Sequence, residues 1–212
     1  MSNNSLTVLN VLLRGQYAAE KNFYALHLRF QKNYMNQKII AIQNIFSSRL
    51  DTLSHILEIA ESHFIEDVDS LLQLRIAPDM LPFSTQIAFV CNQPRNFALW
   101  CLGQSASNLN PEVSSLVEAR GHISSTKELL TTINVGDSKL SELNRLELGQ
   151  GLYAELSGLS YVDDFLMPNF YFHITTAYNI LRMAEAPIGK RDFMMHLVPS
   201  LKIFALDSST SR

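Results

Sequence analysis

The chain has little glycine, proline or cysteine for its 212 residues: eight Gly, seven Pro and two Cys. So few chain breakers exclude a collagen-like or low-complexity polymer, and so few cysteines exclude a disulfide scaffold. Charged residues are also sparse at 17%, while 47% are apolar, a composition that buries a core and does not stay disordered. Long helices joined by modest loops suit this balance better than a many-turned all-β architecture, and the length suits one domain with an appendage. Apolar runs fall well short of the roughly 18 residues of a membrane span, and the start Met1 to Ser5 lacks the positive charge of a secretory signal. A soluble, cytoplasmic protein with no membrane partner is the expectation.

Acidic residues are nearly missing from the first forty positions. Arg14, Lys21, Arg29, Lys32 and Lys38 face only Glu20 there, so this segment is +4 while the formal net charge is −3. The remainder is therefore −7, and an acidic body repels a phosphate backbone, so nucleic acid is not expected as a partner. Phe23, Leu26, Phe30 and Tyr34 fall at helical spacing in this stretch. It reads either as an extra N-terminal helical segment packed on the body or as a basic, acid-poor organellar transit peptide.

Cys91 and Cys101 lie ten positions apart in a helical pattern, which separates them by ~15 Å. That exceeds the ~7 Å reach of a disulfide, so unless the chain folds back at Pro94 both are free thiols, as a reducing compartment allows. They act as small buried hydrophobes, because no neighbouring cation that would activate a thiolate can be assigned.

From residue 39 to about 62 the positions Ile42, Ile45, Phe46, Leu50, Leu53, Ile56, Leu57 and Ala60 follow the i, i+3, i+4 rule of an amphipathic helix. Residues 66–70 begin a short connecting helix whose apolar end is Leu71 to Ile76. A second long helix is expected to start between Asp79 and Pro82 and to reach Leu102, with Pro94 kinking or splitting it. A polar loop, 103–110, leads to Asn110 and Pro111 as cap and first turn of a third helix. That helix runs to about Val135 and buries Val113, Leu116, Val117, Ile123, Leu129, Leu130 and Ile133. Residues 138–158, with Gly149, Gly151 and Gly158 among leucines of no clean period, form a short hairpin or an irregular crossover. A fourth helix spans about 160–184, with a bend at Pro168, and stops before Pro187 and Gly189. The last residues, 207–212, look frayed. The pattern predicts an all-α chain, an antiparallel four-helix bundle over 39–193 between a basic extension, 1–38, and a tail, 194–212.

On the fourth helix the apolar stripe Tyr161, Phe165, Leu166, Phe172 and Ile180 is interrupted by Asn169, His173 and Thr176. Intervals of four and three residues stack those polar groups in one column on the face expected to be buried. On the second helix Gln86 interrupts Phe83, Ile87, Val90 and Phe97 in the same way. A buried polar group without a partner costs a few kcal/mol, so the column needs company. Either it lines a small-molecule or metal pocket between helices, or it is a satisfied hydrogen-bond network that sets helix register.

Metal arithmetic is unfavourable. His55 and His63 stand eight residues, ~12 Å, apart on one helix, and Asp164 faces away from His173 unless Pro168 redirects it. His27, His122 and His196 sit in separate segments, and Asp163 and Asp164 are adequately explained as first-turn acids. No metal and no cofactor are expected. G-x-S-x-G, the P-loop, a full G-x-G-x-x-G and C-x-x-C are all missing.

Three segments, Arg75-Ile76-Ala77-Pro78-Asp79-Met80, the run Pro168 to Tyr178 (PNFYFHITTAY) and Ile188-Gly189-Lys190-Arg191-Asp192-Phe193, occur in that order. Together they resemble a domain-of-unknown-function family of the DinB/YfiT-like superfamily, over roughly residues 39–193. The resemblance implies a DinB-type four-helix bundle, often a homodimer. Its better-known relatives hold a divalent metal with three His and include thiol-dependent transferases. Of the His-x-x-x-His pair on their last helix, the second corresponds to His173 and the first appears as Asn169. The remaining ligand position falls near Gln86 to Cys91, where no His occurs.

Asp79, Lys190 and Arg191 read either as charged groups lining a site or as a helix cap and an ion-paired surface turn. The leading expectation is a small-molecule pocket of His173, Asn169, Thr176, Gln86 and Asp79, with His173 as donor or base. A metal-dependent or thiol transferase and a non-catalytic dimerising bundle are the rivals.

Overall fold

The computed structural model describes residues 37–64 and 69–202. The helical spacing read in residues 6–37 lies outside the described residues except for its last position, as do the first residues of the connecting helix and the tail beyond 202, while the described part of that connection is a 3₁₀ turn, Asp69–Gln73.

Helix α1, Gln37–His63, carries the predicted stripe, with Ile39, Ile42, Phe46, Leu50, Leu53, Ile56, Leu57 and Ala60 buried along one face. Its N-terminus is capped from far away in sequence. The Asp137 carboxylate accepts the backbone N–H groups of Lys38 at 3.0 Å and Ile39 at 2.9 Å, two first-turn donors that the helix itself cannot satisfy.

After a 3₁₀ turn, Asp69–Gln73, and a turn closed by Met80 N–H on the Ala77 carbonyl, helix α2 runs Phe83–Cys101. It starts after the Asp79–Pro82 segment, not within it, and passes through Pro94 without being split. Packing carries it past the missing N–H: Phe97 on α2 lies 5.7 Å from Phe46 of α1. Cys91 and Cys101 are both free and buried, as the spacing predicts.

The polar loop beyond α2 is stitched back to it, with Arg95 donating to the Ser107 carbonyl at 2.7 Å and the Asn92 side chain accepting from Leu109 N–H at 2.8 Å. Helix α3 is Leu116–Thr131, shorter than the 111–135 expected. The cap is Ser115, whose hydroxyl accepts from Glu118 N–H, while the Glu118 carboxylate accepts from Ser114. That reciprocal arrangement outcompetes Asn110, which instead closes a local turn on Glu112 N–H. Val117 is accordingly 72% exposed and not part of the core, whereas Leu116 and Ile123 are buried.

A 3₁₀ turn, Asp137–Ser141, leads into an antiparallel hairpin, β1 Leu143–Gly149 and β2 Leu152–Ser157, so the chain is mostly helical but not all-α. Gly149, Gln150 and Gly151 all take positive φ, which two glycines make inexpensive and which turns the chain between strands. The hairpin is open to solvent: Leu143, Leu148, Leu152 and Tyr153 are exposed. Gly158 follows, in a space where a Cβ would sit 2.6 Å from Trp100 Cζ2 and 2.9 Å from the Lys139 carbonyl oxygen.

A helical turn, Gly158–Ser160, and a π-helix, Tyr161–Leu166, precede helix α4, Met167–Met183. Pro168 stands in the first turn of α4, and the π-turn is what the structure places where a bend was expected. Residue Glu185 in left-handed conformation (φ 68°) ends the helix, with Ala186 N–H returning to the Leu181 carbonyl at 2.9 Å. Short helix α5, Lys190–Phe193, and a 3₁₀ segment, Met195–Ser200, pack on α1.

Helix α2 makes its most extensive packing with α4 and then with α3, which also packs on α1. Phe46 of α1, Phe97 of α2 and Phe170 of α4 meet in one aromatic cluster, the last edge-on to Phe46 at 5.1 Å. Among the described residues no helix is long and apolar enough to cross a membrane.

Candidate functional site

The strong α2–α4 contact brings two of the interrupting residues together. Nδ1 of His173 lies 2.8 Å from Oε1 of Gln86, in a buried hydrogen bond between residues 87 positions apart. The Gln86 amide nitrogen donates to the Leu81 carbonyl at 3.0 Å, just before α2 begins. That bond orients the amide and leaves its oxygen facing the imidazole, which places the proton on Nδ1 of His173 and the lone pair on Nε2. His173 is 8% exposed and sits between two aromatic edges, Phe89 at 5.0 Å and Phe172 at 5.2 Å. With no carboxylate paired to it, burial alone pushes its pKa down from 6.5 to about 4. The ring is a neutral imidazole throughout the physiological range.

The other members of the column turn inward on their own helix. Asn169 donates its side-chain N–H to the Phe165 carbonyl at 2.7 Å, and the Thr176 hydroxyl donates to the Phe172 carbonyl at 2.7 Å. Both are bonds to the residue four positions back, a short reach for these side chains. They flank His173 at one helical turn either way, but the described hydrogen bonds do not join them to it. Phe172, assigned to the buried stripe from its spacing, is instead 57% exposed. Asp79 is exposed in the turn before α2, and no described hydrogen bond joins it to the column.

The positions that the resemblance sets against the relatives' metal ligands, His173, Asn169 and one near Gln86 to Cys91, do not fit a three-histidine metal. Only His173 offers an imidazole, the Gln86 oxygen is committed to Nδ1, and the Asn169 nitrogen is committed to Phe165. Among the described residues there is also no cluster of three His, Cys, Asp or Glu arranged to hold a metal ion. Asp163 and Asp164 are exposed, on the π-turn.

The thiols are unreactive. Burial pushes Cys91 up to about 12, with the Thr126 side chain opposing it. It does the same to Cys101, where the opposing charges of Lys139 and Glu142 pull in contrary directions. Lys139 and Glu142 pair at 2.6 Å, and the ammonium lies 5.0 Å above the Trp100 ring. These groups surround a cleft of about 430 Å³ at the C-terminal end of α2, lined by Cys101, Gly103, Gly136, Ser138, Lys139 and Glu142 among others.

One pairing escaped the sequence pattern. His55 of α1 and Asp192 of α5 are 137 positions apart, and His55 Nε2 lies 3.0 Å from Asp192 Oδ1. The only hint was that Asp192 belongs to the Gly-Lys-Arg-Asp segment. There Asp192 and not the exposed Lys190 and Arg191 makes the ties, its second oxygen accepting Gly189 N–H at 2.7 Å.

Comparisons with known proteins agree with this architecture. The family model described as Domain of unknown function (DUF1993) matches residues 40–194. Among solved structures, the chain is similar to a DinB family member protein from Shewanella denitrificans, with 28% sequence identity and a TM-score of 0.63. That match covers 79% of this chain and 94% of the other. No curated protein matches. With most of its length matched by that model and a DinB family member as structural neighbour, the chain belongs to the DUF1993 family and is DinB-like.

Proposed function

We propose that the chain is an intracellular, DinB-like small-molecule-binding protein that has lost the metal triad. Its four long helices form an antiparallel bundle of residues 39–193, between the basic extension 1–38 and the tail 194–212. The pocket centres on His173 and Gln86, with Asn169 and Thr176 one turn away on α4. Asp79 belongs to it only if ligand binding draws in the turn before α2.

The observation that carries this reading is the fixed tautomer of a nearly buried, neutral imidazole. Gln86 holds the Nδ1 proton, so Nε2 carries the lone pair of a ring that packs near-perpendicular to both Phe89 and Phe172. Such a group accepts a hydrogen bond from a ligand N–H or O–H whose body packs on Phe89 and Phe172. The reading of the chain as intracellular rests on its two free, buried thiols.

Two measurements test the proposal. Diethyl pyrocarbonate, which acylates neutral imidazoles, is expected to modify His173 in the folded protein, as read by peptide mass spectrometry. Modification only after denaturation means a closed core and defeats the pocket. Metal analysis of protein purified without a histidine tag is expected to find none in stoichiometric amount; zinc or nickel that disappears in His173→Ala defeats the metal-free reading. Homodimerisation is proposed on the resemblance, and light scattering that returns the mass of one chain removes it.

A further inference from the structure

Helices α2 and α4 carry no acidic residue and one arginine each. Both guanidinium groups are spent on loop carbonyls: Arg95 donates to Ser107 at 2.7 Å, and Arg182 to Ala186 at 3.3 Å and Ile188 at 2.7 Å. Neither an anion nor a cation finds a free counter-charge on the two helices that meet at His173, and an ion without one loses its hydration uncompensated. The seam suits an uncharged ligand.

Its polar groups favour a ligand that donates. Gln93 shares a face of α2 with Gln86 and Phe89, seven and four positions on. Its side-chain N–H donates to the Phe89 carbonyl at 3.2 Å, as Asn169 on α4 does to Phe165. An amide that bonds a carbonyl must present its nitrogen, so Oε1 of Gln93 and Oδ1 of Asn169 are left as acceptors. The Thr176 hydroxyl has given its hydrogen to Phe172, and Nε2 of His173 has none to give. Of these four side chains, only the two amides keep a spare N–H. Among the described residues, the buried side-chain atoms left without a partner lie elsewhere, on Arg49, His122, Thr126 and His196. Nε2 of His173, Oδ1 of Asn169 and Oε1 of Gln93, which no described hydrogen bond reaches, are therefore open to the surface of the seam. Half-buried Phe89 and exposed Phe172 border the imidazole with apolar carbon.

We infer that the ligand of this pocket, on the reading that His173 lines one, is an uncharged aromatic compound carrying hydroxyl groups. One O–H donates to Nε2 of His173, where an ether or a carboxylate has no hydrogen to offer. A hydroxyl also accepts, so it serves the spare amide hydrogens, which a ring amine does poorly. A second O–H reaches Oδ1 of Asn169, one turn of α4 away (~6 Å), and the flat ring packs on Phe89 and Phe172.

The test uses the full ¹⁵N-labelled chain, with the His173 ring read in two-bond ¹H–¹⁵N correlation spectra. Resorcinol is expected to move the Nε2 signal saturably. Two probes are expected to bind about tenfold more weakly or worse: 1,3-dimethoxybenzene, which keeps ring and oxygens but has no O–H, and benzoate, which brings a charge. Asn169→Leu is expected to weaken resorcinol about fivefold, with the Nδ1 signal of the Gln86-bonded ring unmoved as the report on the fold. Dimethoxybenzene or benzoate binding as tightly as resorcinol, unchanged resorcinol affinity in Asn169→Leu, or no shift with resorcinol each overturns the inference. Diethyl pyrocarbonate separates that failure from failure of the pocket. If it modifies His173 in the folded chain the pocket stands without this ligand class, and if it does not, both fall.

Discussion

Gln86 on α2 and His173 on α4 share one hydrogen bond, 2.8 Å from Oε1 to Nδ1, and that bond decides the chemistry of the ring. Because the Gln86 amide nitrogen is already spent on the Leu81 carbonyl, the pair cannot reverse its polarity without breaking a second bond.

Replacing the acceptor with a charge reverses the ring's state. Gln86→Glu places a carboxylate against Nδ1, and an opposite charge at that distance favours the protonated imidazole. The His173 pKa is expected to climb from about 4 to above its ordinary 6.5, read by NMR titration of the ring protons. Gln86→Leu instead leaves a buried N–H without a partner and is expected to cost about 1–3 kcal/mol in urea unfolding. A His173 titration unmoved by Gln86→Glu contradicts the described bond.

His173 also makes stability depend on pH. Its folded pKa, about 4, lies below the ordinary 6.5, so between those values the unfolded chain binds a proton that the folded chain refuses. Stability from this group is complete above pH 6.5, declines as pH falls toward 4, and is flat below. The drop is expected to be about 3 kcal/mol, measured by urea unfolding at successive pH values, and His173→Gln is expected to remove that part of the slope.

Asp137 caps α1 from 98 and 99 residues away, through Ile39 and Lys38. Asp137→Ala is expected to destabilise the protein by about 1 kcal/mol, and Asp137→Asn, which keeps an acceptor, by less. Hydrogen exchange at the Lys38 and Ile39 amides should rise in Asp137→Ala, while core amides of α2 change only with global stability.

Gly158 is required by volume and not by backbone freedom. A methyl group there meets both the Trp100 ring and the Lys139 carbonyl oxygen, and the carbonyl cannot rotate aside. Gly158→Ala is expected to lower stability by about 1–3 kcal/mol, with a change in Trp100 fluorescence, whereas Gly121→Ala, where the added carbon meets nothing within 4 Å, should be neutral or stabilising.

Periodicity alone located α1 to within two residues, the stop of α4 near Ala184, the free state of Cys91 and Cys101, and the polar column of Asn169, His173 and Thr176. These follow from local rules: a 3.6-residue repeat, a fixed rise per residue and the breaking power of Pro and Gly. The start of α3 was not readable, because two overlapping cap signals compete and Glu118 with Ser114 and Ser115 makes three hydrogen bonds where Asn110 makes one.

Within the column the sequence determined which side chains interrupt the apolar stripes, and only the tertiary structure decided which of them meet. Asn169 and Thr176 reach the carbonyl one turn back, so they need no partner helix. An imidazole projects too far for that and takes its partner across the α2–α4 contact, in Gln86. The Asp137 cap and the His55–Asp192 pair lie at sequence separations of about a hundred residues or more, and no local rule carries across them. Such contacts exist only once packing of the apolar faces has set the helices side by side.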